Sequence, residues 1–207
     1  YARFIDLVYR EKLRPFVTVP MTINIMNQED RTGRGGDQQA LTDNGYTAVR
    51  FTSTHEHGNG NPDSNYTDRQ HTSNDILGLD TNNDGNVDSF FVNLNYLKRN
   101  TVINGIAASE AANGPQTPTF NLTSNSSEGL KVNITSGKAN EYRVGVRTTN
   151  TPIRFKSLYR FSDDAFVIPG LEKGNLYFIS VAAVNKKGIM SLFTSEEFES
   201  APKTTPD

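Results

Sequence analysis

The chain has 207 residues, enough for one large or two ordinary domains, with 35% hydrophobic residues and a net charge of −2. That balance gives no case for nucleic acid or an anionic membrane surface as a partner, and no apolar run is long enough to span a bilayer. There is no cysteine, which excludes disulfides, thiolate catalysis and cysteine-based zinc sites together.

Tyr1 is not a natural start, and the residues after it already read as helix, so the chain is expected to be a fragment or a processed product. Phe4, Ile5, Val8 and Tyr9 are spaced for one helical face over Tyr1 to Leu13, and Pro15 and Pro20 end that helix. Met21 to Met26 alternates apolar and polar for most of its length and reads as a strand. Asp37 to Asn44 reads as a short helix, with Asp37 as N-cap and Gly45 as its stop. Tyr46 to Thr52 is the next strand. Asn93 to Ala112 carries Leu94, Leu97, Val102, Ile103, Ile106 and Ala107 on a broad apolar stripe, the strongest helical signal in the chain. The order helix–strand–helix–strand–helix fits part of an α/β sheet domain whose other half is missing.

At Gly114-Pro-Gln-Thr-Pro118 the pattern changes, so the expected domains are 1–114 and 115–207. Short alternating strands follow: Thr119–Ser124, Leu130–Thr135, Tyr142–Thr148, Arg154–Phe161, Ala165–Ile168, Tyr177–Asn185 and Leu192–Phe198. Seven strands in roughly ninety residues is the count of an all-β sandwich. The run Gly170-Leu-Glu-Lys-Gly174-Asn-Leu-Tyr177, continuing to Ala183-Val-Asn185-Lys-Lys-Gly188, resembles the fibronectin type III pattern over Gln116 to Pro202. The resemblance implies that Tyr177 is a corner tyrosine bonded back to the turn. The usual strand-B tryptophan is absent, so Leu130 or Val132 must fill its space.

Three groups of residues could carry chemistry. His71, one of three histidines, lies in a polar loop four residues before Asp75, which suits a metal ligand with a carboxylate to orient it; a solvated loop histidine is the plain alternative. His55 and His57 would point to opposite sides of an extended segment, and their Gly-Asn-rich surroundings read as an exposed lip, with contact to a substrate's amino end as the other reading. Asp80, Asn82, Asp84, Asn86 and Asp88, with Gly85 and Val87, match the first nine positions of a calcium loop, but Phe91 stands where the bidentate acid belongs. That stretch is either a partial calcium site or an Asx turn closing on its own backbone. Four sequons, at Asn65, Asn121, Asn125 and Asn133, are no more than chance supplies in so Asn- and Thr-rich a chain, and Lys186-Lys187 reads as a soluble turn.

Gly33-Arg-Gly-Gly-Asp37, then Asn44-Gly-Tyr-Thr-Ala-Val-Arg-Phe51, then His71-Thr-Ser-Asn-Asp75 resemble, in that order, the C-terminal part of the co-catalytic di-zinc aminopeptidases. The likeness covers Tyr1 to about Ala112. It implies that His71 binds one ion of a zinc pair, with Asp75, Asp37, Gln38, His55 and His57 near the cleft. It implies a hydrolase acting on N-terminal peptide bonds by metal-activated water. Gln38 departs from the family, which has a histidine after the loop aspartate. The family's other ligands and its glutamate base precede the first helix, so no catalytic residue is expected in this chain, which is expected to be inactive alone. The expected partners are a peptide substrate and the missing N-terminal half of the peptidase domain, and the expected setting is a bacterial export route. The alternative is a non-catalytic secreted binding or structural module with a calcium-stabilised loop.

Overall fold

The computed structural model describes residues 1–26, 36–52, 73–125, 129–150 and 153–203. Two compact units result: Tyr1–Thr18 together with Ile106–Asp207, and Val19–Gly105. The division differs from the expected one at Pro115, because the N-terminal helical segment groups with the sandwich.

In the first unit the chain opens with helix α1 (Ala2–Val8), passes into a π-helical turn (Tyr9–Leu13), and ends in a 3-10 turn (Arg14–Phe16) that holds Pro15. Phe4, Ile5, Leu7, Val8 and Tyr9 are all buried, so this helix is covered nearly all round rather than on one stripe. Asp6 is buried with them and is paired: Arg10 donates to it at 2.9 Å, and Arg154 stands 3.5 Å away.

The sandwich follows. Strands β3 (Thr119–Asn125), β4 (Gly129–Ser136) and β7 (Ala165–Val167) form a three-stranded antiparallel sheet in the order β3-β4-β7. Strands β5 (Glu141–Thr148), β6 (Ser157–Phe161), β8 (Leu176–Val184) and β9 (Glu197–Ser200) form a four-stranded one in the order β6-β5-β8-β9. Alternate residues of each strand meet in one core: Leu130, Val132 and Ile134 from β4, Tyr142, Val144 and Val146 from β5, Tyr177, Ile179, Val181 and Ala183 from β8. Leu130 and Val132, the residues expected to stand in for the absent tryptophan, are both fully buried. The edge strands β3 and β9 approach each other, and Ser124 Oγ donates to the Ser200 carbonyl at 3.1 Å. The expected strands at Arg154 and Leu192 begin later, at Ser157 and Glu197, since Phe155 and Phe193 leave the ladder to pack on each other with ring centroids 4.8 Å apart.

The second unit is built differently. Helix α2 (Asp37–Asp43) is capped by Gly36, not by Asp37, which is its first helical residue. Its end is the expected one. Gly45, at φ 80°, donates to Thr42 and Tyr46 donates to Leu41, the paired bonds of a Schellman stop. Strands β1 (Gly78–Leu79) and β2 (Ser89–Phe90) pair as a two-stranded ribbon. Helix α3 (Leu94–Asn113) starts where Asn93 Oδ1 accepts from the Tyr96 amide at 3.0 Å, and the boundary between the units falls within it. Met21–Met26 and Tyr46–Thr52 are not strands. Alternation makes an extended segment suitable for a ladder, but it does not by itself place that segment in a sheet, and neither segment belongs to the three described sheets. Leu94, Leu97 and Val102 on the expected apolar stripe of α3 are exposed, while Ile103 and Ala107 are buried.

Candidate functional site

His71, His55 and His57 lie outside the described residues, as does Gly33 of the glycine loop. Asp37 and Gln38 open α2, Asp37 exposed and Gln38 half-buried. The Gln38 amide folds back over Gly36, where an added Cβ would meet its Oε1 at 2.2 Å, and the Arg50 side chain borders the same spot. Asp75 is exposed in the turn that leads into β1, where the Ile76 amide donates to the Asn74 carbonyl. Among the described residues no three histidine, aspartate or glutamate side chains gather closely enough to hold a metal ion. Asp37, Gln38 and Asp75 therefore do not by themselves make a zinc site.

The loop from Asp80 to Asp88 is closed at its base by the β1–β2 ribbon, with Gly78 opposite Phe90 and Leu79 opposite Ser89. Inside it, side-chain oxygens face the loop's own amides. Asp80 Oδ2 accepts from the Gly85 amide at 2.7 Å, and Asp80 Oδ1 from the Asp84 amide at 3.2 Å. Asn82 Oδ1 also accepts from Asp84, Asp84 Oδ1 accepts from Asn86 at 2.8 Å, and Asp88 receives both the amide and the hydroxyl of Thr81. The Gly85 amide above all holds the Asp80 carboxyl below its ordinary range, and the Asn86 amide does so for Asp84. Asn83 and Gly85 take the left-handed conformation that lets the chain turn so tightly. Phe91, at the twelfth position, is exposed, and its amide donates to Leu77. These are Asx-turn bonds, in which side-chain oxygens close on nearby backbone amides.

The sandwich carries its own polar fixtures. The Glu172 amide donates to the Tyr177 hydroxyl at 2.8 Å, which is the corner bond expected of that tyrosine. With the sheet orders β3-β4-β7 and β6-β5-β8-β9, that bond decides the architecture. The sandwich is of the fibronectin type III kind. A second tyrosine does similar work: Tyr142 donates to Asp164 Oδ1 at 2.6 Å and accepts from the Ala139 amide, while Lys138 reaches Asp164 Oδ2 at 2.7 Å. Lys138 and then Tyr142 hold the Asp164 carboxyl below its usual value, and burial together with Asp164 pushes the Tyr142 phenol up.

No family model and no curated protein matches the chain. Among solved structures, the sandwich is similar to the FN5 domain of Drosophila Lar, at 19% identity over 43% of this chain and 98% of that one, with a TM-score of 0.36. It is also similar to a Fn3-like protein from Clostridium thermocellum (21% identity, 45% and 99% of the two chains, TM-score 0.35) and to the sixth fibronectin type III domain of human fibronectin type III domain containing protein 3 (20%, 45% and 92%, TM-score 0.35). No described helix is long and apolar enough to cross a membrane.

A set of charged contacts has no counterpart among the residues singled out by motif. Glu11 takes both terminal nitrogens of Arg143, at 2.6 and 3.2 Å, and Glu196 takes Arg147, at 2.5 and 2.6 Å, as well as Arg3 at 3.0 Å. Two sequence signals point to them. The run Ile179 to Val184 is apolar or small at every position, as in a strand buried on both faces, and Gly145 sits in mid-strand, where another group comes close.

Proposed function

We propose that this chain is the C-terminal part of a zinc-dependent aminopeptidase, exported by a bacterium, that hydrolyses N-terminal peptide bonds, and that the fibronectin type III sandwich is its appended module. The observation that carries the reading is the order of the three motifs, Gly33–Asp37, Asn44–Phe51 and His71–Asp75. The helix Asp37–Asp43 with its glycine stop, directly after the glycine loop, and the long helix Leu94–Asn113 after the last motif support it. His71 would hold zinc together with ligands on other segments of the peptidase, which would also supply the general base.

The test uses the protein expressed together with the coding sequence upstream of Tyr1. It should bind zinc and release N-terminal residues from peptides, and His71→Ala should lower its zinc content along with its activity. Full zinc loading in His71→Ala would remove the assignment.

A second reading, a non-catalytic module with a calcium-stabilised loop, draws on one observation: Asp80 and Asp84 are held ionised a few residues apart in one exposed turn.

A further inference from the structure

The outer face of the four-stranded sheet is buried although it is not the sandwich core. Ser180 and Ala182 on β8 and Arg143 and Gly145 on β5, all pointing away from that core, are buried. A side chain at Gly145 has no room, since its Cβ would stand 2.3 Å from the Phe155 ring. The N-terminal helical segment is tied across this face at both ends. At its start Arg3 donates to the Ile153 carbonyl at 2.6 Å, lies over the Phe155 ring, and shares Glu196 with Arg147. At its end Glu11 grips Arg143, and Lys12 reaches both Glu110 of α3 and the Gly188 carbonyl.

We propose that this sheet face is dedicated to the chain's own segment Tyr1–Leu13: the sandwich is a brace for that segment, with Glu11–Arg143 as its latch, and does not offer the face to an external ligand. Arg143 carries the argument furthest. Its side chain is 8% exposed, and its Nε is buried with no hydrogen-bond partner. A guanidinium held this deep is tolerable only beside a carboxylate, and the carboxylate comes from the helical segment. With the segment lifted away, Arg143 returns to water. With the segment in place but Glu11 removed, a charge is left buried and unpaired, so the segment itself is driven off. The inference rests on the proposed function only in naming the braced segment as part of the peptidase region; the contact stands without zinc.

The experiment is hydrogen exchange on the whole chain carrying Glu11→Arg, Arg143→Glu, or both. Either single change should speed exchange of the amides from Ile5 to Leu13 by about tenfold or more. The double change, which restores opposite charges, should bring the rates back toward those of the parent. Unchanged rates in Glu11→Arg, or a double change no better than the singles, would overturn the proposal. Glu11→Gln, which keeps the shape and drops the charge, serves if a charge reversal does not fold, and must show the same acceleration. None of these readouts involves metal or peptide hydrolysis, so a failed brace and a failed zinc site are told apart.

Discussion

The two units handle apolar surface in opposite ways. Among the described residues, every exposed large hydrophobic except Tyr1, Phe16 and Phe198 lies in Val19–Gly105, and of the buried hydrophobics only Ile103 does. The sandwich unit buries both faces of its larger sheet, one against the other sheet and one beneath a helical layer. The second unit has helices with sound ends and a closed ribbon, yet no described core. Caps, stops and Asx turns are satisfied within a few residues, so they form wherever the local sequence asks for them. Burial of Leu97 or Tyr46 requires surface from elsewhere, and local sequence cannot supply it.

The sharpest way to break this comparison is to remove the same kind of side chain from each unit. Leu130→Ala should cost about 2–5 kcal/mol, because it leaves a cavity in a packed core. Leu97→Ala, at an exposed helix position, should stay within about 0.5 kcal/mol. Chemical denaturation followed by hydrogen exchange would assign each loss to its unit, and equal losses would mean the second unit has a core after all. Tyr177→Phe tests the sandwich's corner. It strips the partner from the Glu172 amide and should cost about 1–3 kcal/mol in the same measurement.

Smaller effects sharpen the picture. If the Asp80–Asp88 loop takes calcium with the weak affinity of extracellular sites, millimolar calcium should stabilise the second unit by about 1 kcal/mol, and thermal unfolding with calcium or with EDTA reads it. Coincident curves would leave only the Asx turn. The smallest change is in acid. The Asp164 carboxyl is depressed in the folded state by Lys138 and Tyr142, so its contribution is present above the ordinary carboxylate range and is lost as the pH falls through the depressed value. Asp164→Asn should flatten that part of the acid profile by lowering stability on the neutral side, with little change below the depressed value.

The sandwich was legible because its information is local. Period-two alternation set β3, β4 and β5 within a residue or so, and the Gly170–Tyr177 turn announced the corner bond. The same alternation at Met21–Met26 misled, since nothing in six residues says whether a ladder partner exists. The partner of the sheet's second face was hidden for a related reason. Ile179 to Val184 signals two buried faces, but the helix that ties across one of them begins at Ala2, at the far end of the chain, and no pattern on β8 names Glu11 or Arg3. The aspartate loop's turns were visible in the sequence because Asp80, Asn82 and Asp84 each meet an amide two to five residues on, whereas the closure of Asp88 on Thr81 spans seven. The candidate histidines lie outside the described residues, so the motif order alone speaks for them.

The contact between Ser124 and Ser200 has a consequence for how copies of this protein behave at high concentration. By bringing β3 and β9 together it shields one rim of the sandwich, where each sheet would otherwise end in unpaired amides and carbonyls. The remaining rims are β7, only three residues long, and β6, which carries exposed Arg160 with Lys156 just before it. A short strand and a charged one are poor templates for strand addition, so the sandwich should stay free of fibrils under conditions in which the exposed apolar side chains among the described residues of the second unit draw chains together without order.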